Sequence, residues 1–347
     1  MQRSRQWRDG KFRNVHERVD GPYLEMLRKL LFNASAHRRP TAPIATEART
    51  ARDYVVPPAT GLRVTWLGHS TLLVEIDGLR VLIDPVWSVR ASVTPIAGPK
   101  RFYPSPLSLA ELPAIDVVLL SHDHYDHLDA ATVKELARSG ARFVVPLGLG
   151  AHLVKWRVRE EQILEYDWWE STTIGGVTLT AVPARHFSGR GLRDQGQSLW
   201  CGWTLITDRH RVYYAGDTAM QEEFVEIGER LGPFELTIIE VGAYDALWAD
   251  VHLGHEQAVR AHQLVRGDVL LPVHWGLFDL AMHGWTEPIE RVLVAASAAG
   301  IRVAAPRPGG RVEPAALSAV ERWWPTLPWQ TAAEAPVRST GVDPAFR

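Results

Sequence analysis

Ser121-His122-Asp123-His124-Tyr125-Asp126-His127-Leu128-Asp129 is the stretch on which the reading of this chain turns. It contains His-x-His-x-Asp-His, placed directly after the nearly continuous apolar run Ile115 to Leu120. Such a run is expected of a strand buried on both faces of a sheet. Three imidazoles and a carboxylate packed so closely are costly to keep in a structural loop, and the mixture suits zinc and related first-row metals. Alternate residues of a loop face different ways, so this one stretch can feed two adjacent metal ions. A helix is expected next, from Ala130 to Arg138, with Asp129 as its N-cap and Gly140 as its stop.

Three more ligand-type residues lie further along, each just past a strand-like run. His186 follows Val177 to Val182, Asp217 follows Arg211 to Ala215, and His274 follows Val269 to Val273. Strand ends on one edge of a sheet converge in space, so residues far apart in sequence can share a site. Any one of them alone reads as an ordinary buried histidine or surface aspartate. Together with the loop they make a metal site.

The remaining strands are read at Leu62 to Leu67, Ser70 to Ile76, Leu79 to Ile83, Phe143 to Pro146, Thr172 to Ile174, Ser198 to Thr207 and Leu236 to Ile239. Asp77-Gly78 marks a hairpin. Helices are expected over Met220 to Leu231, His255 to Val265 and Pro288 to Ala299. Mixed strands and helices over this length predict an α/β fold with sheets sandwiched by helices. Residues 1–60 read as an arm packing on the core, 61–312 as the catalytic domain and 313–347 as a Pro- and Trp-rich extension over the surface. Within the arm, Tyr23 to Phe32 has an amphipathic helical pattern through Leu24, Leu27, Leu30 and Leu31, expected to pack on the domain.

The order His-x-His-x-Asp-His, His, Gly-Asp-Thr, His resembles the metallo-β-lactamase superfamily. Further stretches are similar to one branch of it: Gly68-His69-Ser70-Thr71, Leu82-Ile83-Asp84-Pro85, Gly98-Pro99-Lys100-Arg101-Phe102, His186-Phe187-Ser188-Gly189-Arg190, Gly242-Ala243-Tyr244 and Val273-His274-Trp275-Gly276. That branch holds the N-acyl-phosphatidylethanolamine-hydrolysing phospholipase D enzymes and their bacterial relatives. The resemblance implies a four-layer αββα sandwich, two mixed β-sheets flanked by helices. It implies two zinc ions per chain, with iron or manganese as alternatives. His122, His124 and His186 would hold one ion, and Asp126, His127 and His274 the other. Asp217 would bridge them, together with a water or hydroxide. Asp126, Asp217 and His252 would carry the catalysis, His252 giving a proton to the leaving oxygen. Asp84, His69, Arg190 and Tyr244 are expected behind the ligands or against the substrate. Glu240 departs from the branch, whose lipid-hydrolysing members carry an apolar residue or Pro there.

The implied activity is phosphodiester hydrolysis on a small molecule or phospholipid. A lactonase or carboxylic ester hydrolase on the same centre is the alternative, and a non-catalytic metal-binding scaffold is the reading of another class. Arg185, Arg190, Arg193, Lys100 and Arg101 are candidate cations for an anionic substrate, each individually better read as a solvated surface charge. His255, His262 and His283 read as surface or packing residues. The formal net charge is −2, which gives no global pull toward nucleic acid, and no nucleic-acid partner is expected. A single cysteine, Cys201, excludes an internal disulfide. Met1 to Phe12 lacks the apolar core of a signal peptide, so a cytoplasmic protein is expected. The 14 Trp residues cluster at Trp168-Trp169 and Trp323-Trp324, where packing is the favoured role. The Trp-rich ends and the N-terminal helix also permit peripheral membrane contact. No oligomeric state is read from the residues.

Overall fold

Thr71–Ile76 and Leu79–Ile83 pair antiparallel, with Ile76 opposite Leu79 across the turn Asp77-Gly78. Both turn residues have positive φ, 45° and 90°. Their backbone matches the right-handed twist of the flanking strands, which is why Asp-Gly makes a tight hairpin. The same sequence logic repeats along the chain of this computed structural model, which describes residues 1–19, 21–32, 34–191 and 193–343.

In chain order the strands are β1 (Trp7–Arg8), β2 (Lys11–Phe12), β3 (Leu62–Gly68), β4 (Thr71–Ile76), β5 (Leu79–Ile83), β6 (Val117–Leu119), β7 (Arg142–Pro146) and β8 (Ile163–Tyr166). They continue as β9 (Ser171–Ile174), β10 (Val177–Val182), β11 (Gly202–Ile206), β12 (Arg211–Tyr214), β13 (Phe234–Glu240), β14 (Gly267–Val273), β15 (Arg302–Val303) and β16 (Arg311–Val312). The helices are α1 (Tyr23–Phe32), α2 (Ala130–Leu136), α3 (Gly150–Lys155), α4 (Glu223–Leu231), α5 (His255–Leu264) and α6 (Glu287–Ala298).

Among the described residues the strands form a small β1-β2 hairpin and two seven-stranded sheets. One sheet runs β16-β3-β4-β5-β6-β7-β8, the other β15-β14-β13-β12-β11-β10-β9. Each is mixed. In the first, β16 to β5 pair antiparallel and β5 to β8 parallel. In the second, β9 to β12 pair antiparallel and β12 to β15 parallel.

Strand periodicity explains the layering. Successive side chains point to opposite faces of a sheet. Leu72, Val74, Val81, Ile83, Val117 and Leu119 therefore join the core between the sheets. Their neighbours Leu73, Leu82 and Val118 join a second core with Val133 and Leu136 of α2 and Leu153 of α3. On the far side of the second sheet, Phe224 and Ile227 of α4, Val259 of α5 and Ile289 and Val292 of α6 are buried. The result is the four-layer αββα sandwich with helices outside two mixed sheets.

Several boundaries differ from expectation for reasons that can be named. The run read from Ser198 enters the ladder only at Gly202. Before that, Leu199 N–H donates to the Leu147 carbonyl and Cys201 N–H to the Ser121 carbonyl, so this stretch ties the two sheets together. Helix α4 starts at Glu223 rather than Met220, whose carbonyl accepts from Arg185. Asp129 does cap α2, accepting from Ala131 N–H.

The Trp pairs pack. Trp323 stacks on Trp275 with ring centroids 5.3 Å apart, and Trp275 on Trp66 at 5.5 Å. Trp324 is buried, and Trp168 Nε1 donates to the Trp200 carbonyl. Helix α1 forms over the expected residues, yet it does not bury its apolar side. Leu24, Leu31 and Phe32 are 78%, 65% and 78% exposed. The side chain of Leu30 lies outside the described set. No helix among the described residues is long and apolar enough to cross a membrane.

Candidate metal centre

The parallel halves of both sheets end at the same edge, and every expected ligand lies just beyond a strand there. After β6 the chain closes a turn, with His127 N–H and Leu128 N–H both donating to the His124 carbonyl. This presents His122, His124, Asp126 and His127 together. His186 follows β10, Asp217 follows β12 and His274 follows β14. Close approach is needed locally: a Cβ on Gly242 would sit 2.1 Å from the His274 carbonyl oxygen, so the chain after β13 can pass only with glycine.

All seven expected ligands come together. His124 Nδ1 lies 2.9 Å from His122 Nε2 and 3.1 Å from His186 Nε2, forming one triad. Asp126 Oδ2 lies 3.6 Å from His127 Nε2 and 3.3 Å from His274 Nε2, forming a second. Asp217 Oδ2 stands between them, 3.7 Å from His122 Nε2, 3.8 Å from His186 Nε2, 3.2 Å from His127 Nε2 and 3.1 Å from His274 Nε2.

The donor set fits a metal pair. His127 Nε2, His274 Nε2 and Asp217 Oδ1 are buried and lack hydrogen-bond partners, a costly arrangement unless a cation completes it. Burial holds the His122, His124 and His186 rings below the usual imidazole range, in the neutral form that ligates metal. Burial would raise the Asp217 carboxyl, but His127 and His274 outweigh it and keep it ionised. Burial also opposes charge on His127 and His274, yet Asp217 and Asp126 overcome it and raise both, His274 to about 10. A metal ion and a proton therefore compete for these two rings.

A surrounding layer fixes the ligands. Asp84 accepts from His127 Nδ1 at 2.7 Å, from Ser121 N–H at 2.8 Å, and from the hydroxyls of Ser121 and Tyr214. That fixes the His127 tautomer with Nε2 toward the centre. His69 Nε2 is 2.9 Å from Asp126 Oδ2, and its ring packs 4.0 Å from that of His274. His186 Nδ1 meets the Val251 carbonyl at 2.9 Å. His69, Asp84 and His274 all have positive φ, at 53°, 39° and 64°, a concentration of backbone strain at one site.

Other expected residues stand further out. Arg190 does not line the cavity over the ligands. Its guanidinium donates to the carbonyls of Asp123 and Leu128 at 2.6 and 2.7 Å and lies over the Tyr125 ring, bracing the ligand loop. Tyr244 is buried behind the cavity wall, donating to Glu287 at 2.5 Å and stacked on His283. Arg185 is buried in an ion pair with Asp250. Arg101 donates to the Trp87 carbonyl, while Lys100 and Arg193 are exposed. His255 and His262 are buried, as packing residues are.

Two residues here had no assigned role. Glu240, at the end of β13, accepts from His252 Nδ1 at 2.6 Å and from Thr218 N–H at 2.6 Å. Its signal was available, since it ends an apolar strand as the ligands do. Asn14 donates to the His186 carbonyl and accepts from His186 N–H, at 2.8 and 3.1 Å. A lone Asn 172 residues upstream gives no local sign of that.

A cavity of about 520 Å³ opens over the centre. Its floor includes His124, Asp126, Asp217, His252 and His274, and its walls are largely apolar: Met26 of α1, Phe187, Leu247, Trp248, Val251 and Leu280.

A paired ligand set on one edge of an αββα sandwich defines a metal-dependent hydrolase of the metallo-β-lactamase fold. A family profile described as "Beta-lactamase superfamily domain" matches residues 79–275, and the chain belongs to that superfamily. It is 44% identical over 331 residues to an uncharacterised Mycobacterium tuberculosis protein, covering 93% of this chain and 88% of that one. It is 41% identical to "N-acyl-phosphatidylethanolamine-hydrolyzing phospholipase D 1" of Caenorhabditis elegans, over 64% of this chain and 65% of that one. Among solved structures, a metallo hydrolase from Ignicoccus hospitalis superposes with a TM-score of 0.56 at 24% identity, over 72% of this chain and 97% of that one.

Proposed function

We propose that this chain is a dinuclear zinc phosphodiesterase of the N-acyl-phosphatidylethanolamine phospholipase D type. The observation that carries this is Asp217 Oδ2, within 3.8 Å of one triad's rings and within 3.2 Å of the other's, on the floor of an apolar-walled cavity. Two zinc ions, when bound, lower the pKa of water to roughly 7 and draw charge from phosphoryl oxygens. The chain's own residues do the rest. Asp217 and Asp126 fix the spacing of the two triads, with His69 holding Asp126. His252 lines the cavity with Nδ1 engaged by Glu240, which leaves Nε2 to give a proton to the leaving oxygen.

The lipid part of the reading is supported by the apolar walls, by the Caenorhabditis elegans relative, and by α1. That helix supplies Met26 to the cavity while exposing Leu24, Leu27, Leu31 and Phe32. A peripheral protein that drew a phospholipid from a bilayer would present such a rim.

Protein purified without added metal is expected to carry about two zinc ions per chain by elemental analysis. It should cleave bis(p-nitrophenyl) phosphate until chelated, and N-acylated phospholipids in mixed micelles better than water-soluble diesters. Asp217→Ala should abolish turnover. Metal-free protein that cannot be reloaded sinks the reading. Metal without phosphodiesterase activity, but with lactone or ester turnover, transfers the centre to carbonyl chemistry. Metal with no turnover on any of these leaves a scaffold.

A further inference from the structure

Two arginines near the ligands in sequence, Arg185, paired with Asp250, and Arg190, bound to two backbone carbonyls, do not line the cavity. Among the described residues the cation that lines it is Arg18, from the N-terminal arm. Its guanidinium carbon lies 4.5 Å above the Phe187 ring. That ring in turn lies 4.5 Å from the ring of His124 and 4.9 Å from that of His186. Arg18 thus lies over the ring of the residue next to a ligand, at the wall of the same cavity.

The backbone on either side of Arg18 is pinned. The Glu17 carbonyl accepts from Arg185 Nη2 at 2.8 Å, and Val19 N–H donates to Asp250 Oδ2 at 3.0 Å. Arg185 and Asp250 form a buried pair 3.2 Å apart, with side chains 2% and 1% exposed. A buried pair is expensive to desolvate and must satisfy its remaining donors and acceptors. Here part of that capacity goes to the two peptide groups that flank Arg18, and the rest to Met220 and Thr340. The ion pair thus helps to hold the backbone of Arg18 at the cavity wall.

We propose that Arg18 is the anion-recognition residue of this site and binds an anionic phosphoryl oxygen of the substrate. A guanidinium held over an aromatic ring keeps its charge at a fixed place, and its planar fork suits phosphate. The proposal rests on the phosphodiesterase reading and adds to it the residue that reads the charge at phosphorus. An uncharged ester or lactone would gain nothing from Arg18.

The test uses the full zinc-loaded chain and its Arg18→Ala and Arg18→Lys variants, with thermal unfolding to show that each is folded. Activity is measured on bis(p-nitrophenyl) phosphate, an anionic diester, and on diethyl p-nitrophenyl phosphate, a neutral triester. Inorganic phosphate binding is measured by titration calorimetry. In Arg18→Ala the diester-over-triester ratio of kcat/KM should fall about tenfold, chiefly through KM, and phosphate should bind about tenfold more weakly, the loss of one charge-assisted contact. Arg18→Lys should fall between, keeping the charge without the fork. Equal losses on diester and triester, or phosphate bound as tightly as by wild type, would overturn the proposal while leaving the phosphodiesterase reading standing. If wild type cleaves neither phosphate ester, that reading fails, and the phosphate titration alone decides Arg18. Should Arg18→Ala not fold, Arg18→Gln, which keeps part of the stem, takes its place.

Discussion

Asp84 shows how much of the centre depends on one residue that touches no metal. Its carboxylate takes Ser121 N–H, the Ser121 and Tyr214 hydroxyls and His127 Nδ1. Asp84→Asn keeps the shape but turns one acceptor into a donor, so His127 loses its partner or its tautomer. Metal affinity is expected to fall about 10- to 100-fold with the fold intact, read by competition with a chromophoric chelator beside circular dichroism. Unchanged affinity would reduce Asp84 to a turn residue before Pro85. The seven candidate ligands were legible because each has a chemical type and a position, a His or Asp one to eight residues past an apolar strand. Asn14 was not legible, because a side-chain amide bonding a distant backbone leaves no periodicity or spacing. Arg185 and Arg190 are neither solvated surface charges nor cavity cations, because their bonds are to Asp250 and to the carbonyls of Asp123 and Leu128, partners that a sequence pattern does not show.

At the scale of elements, the strands were easiest to find where both faces are buried or where a turn fixes register. β10 spans Val177–Val182 as read, and Asp77-Gly78 fixes β4 against β5. Residues 198–201 read as strand because they are apolar, but their amides bond across to the first sheet instead of along a ladder. Helix α1 is the instructive case. Its 3.6-residue pattern predicted the helix correctly, but a pattern reports that one side is apolar, not what covers it. Leu24, Leu31 and Phe32 face solvent beside the cavity that Met26 enters. Replacing all three by Ser should weaken sedimentation with phospholipid vesicles about tenfold or more, since each apolar side chain buried in a bilayer interface contributes on the order of 1 kcal/mol. Turnover of a water-soluble diester should change little by comparison. Vesicle binding equal to wild type would remove α1 from any membrane role.

The N-terminal arm at residues 17–19 and the C-terminal extension at Thr340 meet on the Arg185–Asp250 pair. Besides the arm residues Glu17 and Val19, Asp250 accepts from Thr340 N–H at 2.7 Å, and Arg185 donates to the Thr340 carbonyl at 2.9 Å. Asp250→Ala would leave Arg185 buried and uncompensated and release both segments, a loss of about 3–5 kcal/mol in unfolding free energy. Limited proteolysis should then cut near both ends first; cleavage as slow as in wild type would show that other contacts hold them. Acid stability is likewise a property of the whole fold, but one residue makes it measurable. His262 on α5 is buried against β13, its Nδ1 2.7 Å from the Thr237 hydroxyl. Burial lowers its pKa from the ordinary 6.5 to about 4, with Asp268 opposing. Between those values the unfolded chain takes up a proton that the folded chain refuses. Stability from this group is therefore complete above pH 6.5 and is lost as pH falls toward 4. The shift corresponds to roughly 3 kcal/mol across that window. His262→Gln keeps a polar partner for Thr237 but has no proton to gain. Its unfolding free energy, measured by denaturant titration, should fall less steeply than that of wild type as the pH is lowered, by up to that amount. Metal loss in acid affects both proteins alike and cancels in the difference. Parallel pH profiles would mean that His262 accepts its proton without leaving its place between the helix and the sheet.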